Sequence, residues 1–113
     1  MANILAVDDS HTVLTLYSII LQQQGHSVAT AFSGAEAEVL FDKHDFALVV
    51  TDFDMPGVKG DELSVRLKIK KPKCPIIMIS SSPEPKSHKA DIFLSKPIST
   101  GELVKAINSL LKK

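Results

Sequence analysis

Five residues with chemically reactive side chains stand at the ends of short apolar segments in this sequence. They are Asp8, Asp9, Asp52, Ser80 and Lys96. A buried carboxylate is costly unless cations or hydrogen-bond donors compensate its charge, so an acid in such a place needs a partner. Taken singly, the residues also have ordinary explanations. The acidic pair could cap a helix, Asp52 could lie in a turn, and Ser80 and Lys96 could be solvated loop residues.

Together, these side chains could bind a divalent cation and accept a phosphoryl group. Three carboxylates packed together repel one another and must either protonate or bind a cation. A set of oxygen ligands suits a hard cation, and Mg²⁺ in particular. A carboxylate beside such an ion can attack a phosphoryl group, while a lysine and a hydroxyl neutralise and hydrogen-bond the phosphoryl oxygens. This chemistry requires the fold to bring the five residues together.

The composition predicts a single globular domain over residues 1–113. Hydrophobic residues make up 44% of the chain and charged residues 23%, as in folded domains. The formal net charge is zero, which argues against a nucleic-acid-binding protein. No apolar run approaches the roughly 18 residues of a membrane span, and the N-terminus has no signal-peptide pattern. The single Cys74 fits a reducing compartment, so we expect a cytoplasmic protein that does not bind a membrane.

Apolar patterns predict five strands that alternate with helices. The strands are expected at residues 3–7, 27–31, 46–51, 75–80 and 91–95. The helices are expected at 13–24, from Ser33 to about Asp42, around 63–69, and after Ser99. Ser33 and Ser99 each precede a glutamate by three residues, which is the capping-box pattern that opens a helix.

The third helix is predicted against its own periodicity. Leu63, Val65, Leu67 and Ile69 alternate with polar residues, and this period favours a strand. The segment lies between two apolar strands, however, and two parallel strands need a crossover, which is usually a helix. We therefore predict a doubly wound, five-stranded parallel sheet of the α/β class. In such a sheet the functional residues gather at the carboxyl ends of the strands, where the strand order reverses.

The ordered set of motifs resembles a response-regulator receiver domain of two-component signalling, over essentially the whole chain. The family's acidic pair matches Asp8-Asp9, and its phosphoacceptor at the end of the third strand matches Asp52. Further matches are Met55-Pro56 with Gly60, the hydroxyl residue Ser80, the pair Lys96-Pro97, and Phe93 at the aromatic switch position. The resemblance implies a flavodoxin-like fold with strand order 2-1-3-4-5.

The resemblance also implies a mechanism. Asp52 would take a phosphoryl group from a phosphohistidine on a sensor histidine kinase or a histidine phosphotransfer protein. Asp9, Asp52 and the backbone carbonyl of Asp54 would hold Mg²⁺, with Asp8 contributing through water. Ser80 and Phe93 would then shift together and change the surface that a downstream protein target reads. Such a domain is a signalling switch and not an enzyme, although it catalyses its own phosphorylation and slow dephosphorylation.

The segment between the fourth and fifth strands departs from the family pattern. Only residues 81–90 connect them, where receivers usually place a full helix, and Pro83 and Pro85 oppose helix initiation. We expect this fourth helix to be missing or reduced to one turn near residues 86–89. The downstream contact surface should then centre on the 81–90 loop, the fifth strand and the last helix. Phe93 lacks a hydroxyl, and it could equally be a core phenylalanine.

The sequence leaves two rival functions and two interpretations of Asp54 open. Asp52-Phe53-Asp54 imitates the Asp-x-Asp motif of haloacid-dehalogenase-type phosphatases, but that motif belongs after the first strand of a larger fold. A phosphorylation-independent interaction module with a receiver fold is the main alternative, because the loop at 81–90 is short. Asp54 could affect phosphoryl hydrolysis or could be a solvated turn residue. The initial Met1 and the helical ending Leu110-Leu111-Lys112-Lys113 lead us to expect a stand-alone receiver.

Overall fold

The computed structural model describes residues 2–111, in which five strands alternate with four helices. The strands are β1 (Asn3–Val7), β2 (Ser27–Ala31), β3 (Leu48–Asp52), β4 (Ile76–Ser80) and β5 (Ile92–Ser95). The helices are α1 (His11–Gln23), α2 (Gly34–Lys43), α3 (Gly60–Lys70) and α4 (Thr100–Leu111). All neighbouring strands pair in parallel, in the order β2-β1-β3-β4-β5. The predicted flavodoxin-like fold and its strand order are confirmed.

The sheet forms the middle of the molecule, between two hydrophobic layers. One layer joins Leu5, Val49 and Ile76 of the sheet to residues of α2 and α3. The other joins Ile4, Val50 and Ile77 to residues of α1 and α4. Every residue of β3 and β4 is buried, as expected for central strands of a parallel sheet covered on both faces. This packing fixes the carboxyl ends of β1, β3, β4 and β5 along one edge.

Two predicted boundaries move at this edge. β3 begins two residues later than predicted and includes Asp52, which pairs in register with Ile79 of β4. The α1 helix begins at His11 instead of residue 13, because Ser10 caps it by accepting a hydrogen bond from the Val13 amide at 3.3 Å. Asp8 and Asp9 therefore precede the helix and are not its cap.

The crossover argument for α3 is confirmed. Leu63 and Leu67, four residues apart, are buried on one face of the helix. Val65 and Ile69 are exposed, with 37% and 76% of their surfaces accessible. The strand-like alternation in the sequence therefore arises because two of its four apolar residues face solvent.

The link between β4 and β5 contains no helix, and residues 81–91 form bends and irregular segments. The end of the link is fixed to α3 and β4. The Lys89 amide donates to Ser64 Oγ at 3.0 Å, and Asp91 accepts from the Ile76 amide and from Lys68, both at 2.8 Å. Of the two alternatives predicted for the fourth receiver helix, its complete absence is the observed one.

The last helix opens with the predicted capping box. The Glu102 amide donates to Ser99 Oγ at 3.1 Å, and the Ser99 amide donates to Glu102 Oε1 at 2.9 Å. The predicted helix ending at Lys112-Lys113 and the initial Met1 lie outside the described residues. Within residues 2–111, none of the helices has the length and apolar content needed to cross a membrane.

Candidate functional site

The three predicted acids meet at the carboxyl edge of the sheet. One carboxylate oxygen from each of Asp8, Asp9 and Asp52 lies within 4.8 Å of the others. Asp8 follows β1 and Asp52 is the last residue of β3; these strands are paired, and the strand order reverses between them. Asp8 and Asp52 are buried, whereas Asp9 is exposed.

Asp8 is held by the backbone that follows it. Its Oδ1 accepts a hydrogen bond from the Ser10 amide at 2.9 Å, while its Oδ2 is buried without a hydrogen-bond partner. Burial is the main cause of a raised pKa at this carboxyl, and the hydrogen bond from Ser10 opposes it. Oδ2 is thus a desolvated acceptor that a cation would stabilise.

Asp52 lies at the end of β3 with 3% of its surface exposed, and Lys96 provides its counter-charge. Lys96 Nζ forms an ion pair with Asp52 Oδ1 at 2.8 Å. The pKa of Asp52 is raised to about 6, chiefly by burial and further by the nearby carboxylates of Asp8 and Asp54, while Lys96 opposes the shift. Burial lowers the pKa of Lys96, but Asp52 and Asp8 outweigh burial and raise it. One lysine therefore only partly compensates the Asp52 carboxylate.

The donor set fits a hard divalent cation. Asp8 Oδ2 is buried without a hydrogen-bond partner, and the buried Asp52 Oδ1 is ion-paired with Lys96. Within residues 2–111, these three acids are the one group of three or more possible ligands that could share a metal ion. Carboxylate oxygens without nitrogen or sulfur ligands favour Mg²⁺ or Ca²⁺, and two or three carboxylates with open positions suit Mg²⁺.

Ser80 is completely buried at the end of β4, as the site requires, but its hydroxyl is already engaged. Its Oγ donates to Asp54 Oδ2 at 3.2 Å and accepts from the Ser82 amide at 2.8 Å. Asp54 also accepts hydrogen bonds from Ser81 and Ser82. The side chain of Asp54 is therefore partly exposed but hydrogen-bonded through both of its oxygens. Binding of a metal by its backbone carbonyl stays a prediction.

Phe93 lies in β5 beside Met78 of β4 and is only partly buried. Its ring centroid is 6.2 Å from that of His88, at an interplanar angle of 36°. His88 comes from the link that replaces the missing helix, and its Nε2 lies 2.7 Å from Glu84 Oε2. Phe93 therefore packs against this link, and its role as a switch stays a prediction.

Gly60 allows α3 to begin close against the end of β3. A Cβ atom at this position would lie 2.7 Å from the Asp52 carbonyl oxygen and 2.8 Å from Phe53 Cα. Its amide donates to the Phe53 carbonyl at 3.2 Å. The Met-Pro-x-x-x-Gly pattern after Asp52 therefore serves the backbone that carries the acid, with Met55 buried beneath it.

Comparison with known proteins settles the family. The profile of the response regulator receiver domain family matches residues 4–108. The chain belongs to this family. It is 31% identical to the response regulator SaeR of Staphylococcus aureus over the whole of this chain. That match covers 52% of SaeR, so the chain spans about half the length of the curated relatives it matches.

Solved structures agree with this assignment. The chemotaxis protein CheY4 of Vibrio cholerae superposes with a TM-score of 0.91 at 31% identity, over 98% of this chain and 99% of CheY4. The response regulator TrrA of Thermotoga maritima, solved in complex with Mg²⁺-BeF, gives the same TM-score and identity over 98% of this chain and all of TrrA. The receiver domain of this chain therefore keeps the family fold although it lacks one helix.

The sequence reasoning missed the contact between Asp54 and the serines that follow β4. The signal was present, because an acid two residues beyond β3 and a run of three serines at the end of β4 lie at the same edge of the sheet. What the sequence did not contain was the direction of the Asp54 side chain. The rules of strand pairing predict where the backbone lies. The side-chain rotamers of loop residues depend on packing in the folded structure.

Proposed function

We propose that this receiver domain is a phosphoryl-accepting switch of a two-component system, with Asp52 as the phosphoacceptor. One observation carries the proposal. Asp52 is buried at the point where the strand order reverses, beside two further acids, and has a lysine ammonium 2.8 Å away. The phosphodonor would be a phosphohistidine of a sensor histidine kinase or a histidine phosphotransfer protein.

The proposed step uses the ionised form of Asp52. A carboxyl group with a pKa of about 6 is mostly ionised at neutral pH, so a nucleophilic oxygen is available. This oxygen forms a bond to phosphorus as the bond between phosphorus and the donor histidine nitrogen breaks, and the nitrogen keeps the electron pair. Lys96 offsets the negative charge on the new acyl phosphate.

Mg²⁺ is the cofactor that the acid cluster fits. Asp8, Asp9, Asp52 and the backbone carbonyl of Asp54 would hold it, directly or through water. When bound, Mg²⁺ would neutralise the carboxylates and polarise the phosphoryl oxygens. The cluster of three acids and the buried Asp8 Oδ2, which has no hydrogen-bond partner, support this proposal. So does the similarity to TrrA, whose structure contains Mg²⁺-BeF.

Receiver domains act as signalling switches and do not serve to turn over a substrate. For this chain we propose that catalysis is limited to self-phosphorylation and to slow hydrolysis of the acyl phosphate. The whole of residues 1–113 would form this one domain. A cytoplasmic location is proposed on the free, buried thiol of Cys74, which is suited to a reducing compartment.

The output of the switch would be a changed surface for a downstream protein. The 81–90 link follows Ser80 and carries His88, which packs against Phe93 of β5, while Leu94 of β5 lies in the same hydrophobic layer as α4. We expect NMR shift changes in these elements when beryllofluoride and Mg²⁺ are added. Changes restricted to the surroundings of Asp8, Asp9 and Asp52 would contradict this part of the proposal and favour a phosphorylation-independent interaction module.

Acetyl phosphate tests the proposed chemistry without a partner kinase. Intact-mass analysis of the purified protein should show one phosphoryl adduct that requires Mg²⁺. The adduct should be absent in Asp52→Asn and retained in Asp42→Asn, a control that removes an exposed acid on α2. Failure of the wild-type protein to form an adduct would overturn the proposal.

A further inference from the structure

Asp54 is bound by three consecutive residues at the end of β4. Its Oδ2 accepts from Ser80 Oγ at 3.2 Å, from the Ser81 amide at 3.4 Å and from Ser81 Oγ at 3.3 Å. Its Oδ1 accepts from Ser82 Oγ at 3.1 Å. Both carboxylate oxygens are therefore occupied, and this single side chain ties the end of β3 to the start of the 81–90 link.

The hydroxyl of Ser80 donates its hydrogen bond to Asp54. A serine hydroxyl can donate only one hydrogen bond at a time. Its oxygen also accepts from the Ser82 amide at 2.8 Å, so rotation of Ser80 would break contacts with both Asp54 and Ser82. A phosphoryl group on Asp52 that is hydrogen-bonded by Ser80, as the proposed function expects, would compete with the carboxylate of Asp54 for this donor.

The link is built so that this competition has a defined structural consequence. Its far end is held by the Lys89 amide on Ser64 and by Asp91 on the Ile76 amide. Without a helix in between, freeing Ser81 and Ser82 leaves residues 81–88 without their first anchor. That segment carries His88, which packs against Phe93.

We propose that Asp54 is an inhibitory positioning residue that holds Ser80 and the 81–82 backbone in the unphosphorylated arrangement. This inference rests on the proposed function of Asp52 and adds how that site is regulated. The acyl phosphate must displace Asp54 from the Ser80 hydroxyl. The free energy needed to break the Asp54 contacts therefore weakens the binding of a phosphoryl analogue. Weakening these contacts should therefore strengthen that binding, an effect that general damage to the fold does not produce.

The test measures the affinity of beryllofluoride with saturating Mg²⁺ by NMR titration of the purified full chain. Ser82→Ala removes one donor to Asp54 and leaves every charge in place. Because Asp54 is partly exposed, water replaces much of the lost hydrogen bond to its carboxylate, and the dissociation constant should fall about three- to tenfold. Asp54→Ala removes all four contacts and should lower it further. Ser87→Ala is the matched control, because Ser87 is an exposed serine of the same link and is not a donor to Asp54.

The free protein gives a second measurement. Amide hydrogen exchange at Ser81 and Ser82 should be faster in Ser82→Ala than in wild type, and unchanged in Ser87→Ala. Equal beryllofluoride affinities in wild type, Ser82→Ala and Asp54→Ala would overturn the proposed role of Asp54 while leaving the phosphoacceptor role of Asp52 intact. A wild-type protein that does not bind beryllofluoride would overturn both.

Discussion

Replacing Asp52 with asparagine should stabilise the protein at neutral pH, because the charge that the chemistry needs is costly to bury. The pKa of Asp52 rises from 3.8 to about 6 on folding, mainly through burial. Each pKa unit corresponds to about 1.4 kcal/mol, so the ionised carboxylate costs about 3 kcal/mol above pH 6. Asparagine keeps the shape and removes the charge. Lys96, with 29% of its side chain exposed, can remain hydrated.

The sign of the pH dependence follows from linkage. Between pH 4 and 6 the folded protein holds a proton on Asp52 that the unfolded chain has already lost. The contribution of this group to the free energy of unfolding therefore falls as the pH rises through this window. The advantage of Asp52→Asn over wild type should be about 3 kcal/mol at pH 7.5 and about 1 kcal/mol at pH 4.5.

Urea unfolding of both proteins without Mg²⁺ measures this difference. Asp45→Asn is the control, because Asp45 also pairs with a lysine, Lys71, but lies on the surface, and this contact lowers its pKa. Asp45→Asn should not gain stability at neutral pH. An Asp52→Asn protein no more stable than wild type at pH 7.5, or one whose advantage is the same at pH 4.5, would refute the burial argument.

Three further predictions follow from the same site. Lys96→Ala should keep the fold but weaken the coupling between beryllofluoride binding and shift changes at residues 81–96, because Lys96 is the counter-charge of Asp52. A wild-type response would contradict this coupling role of the ion pair. Mg²⁺ at 100 times its dissociation constant should add about 2.7 kcal/mol to the free energy of unfolding, and Asp8→Asn should remove most of this gain while Asp42→Asn keeps it. Gly60→Ala should lower the free energy of unfolding by about 1–3 kcal/mol, because the new Cβ would meet backbone atoms. Gly101→Ala should raise it by up to about 1 kcal/mol, because the nearest atom to its Cβ is Ser99 Oγ at 3.9 Å. Equal effects of the two variants in urea unfolding would contradict the steric argument.

The sequence was sufficient to predict the sheet and the edge at which the acids meet. Apolar strands separated by crossovers leave few topologies, and a parallel sheet places Asp8 and Asp52 side by side whatever the details of the loops. The α3 helix shows how a topological argument can outweigh periodicity. Val65 and Ile69 suggested a strand, yet the chain needed a crossover at that point.

The sequence was less informative about side-chain direction and loop structure. The loss of a helix after β4 could be predicted from the short link between the strands and its two prolines. The anchoring of the link by Ser64 and Asp91 could not be predicted, since neither contact has a sequence pattern. Asp54 illustrates the same limit. Its position near the site followed from its place after β3, while its hydrogen bonds to the serine run depend on packing that only the folded chain shows.

The most direct test of the central claim identifies the residue that carries the phosphoryl group. Protein treated with acetyl phosphate and Mg²⁺ is reduced with borohydride, which converts a phosphorylated aspartate to homoserine, and is then sequenced by mass spectrometry. We predict homoserine at position 52 alone, and none when Mg²⁺ is omitted. Homoserine at Asp8, Asp9 or Asp54 instead, or at no position, would contradict the assignment of Asp52 as the phosphoacceptor.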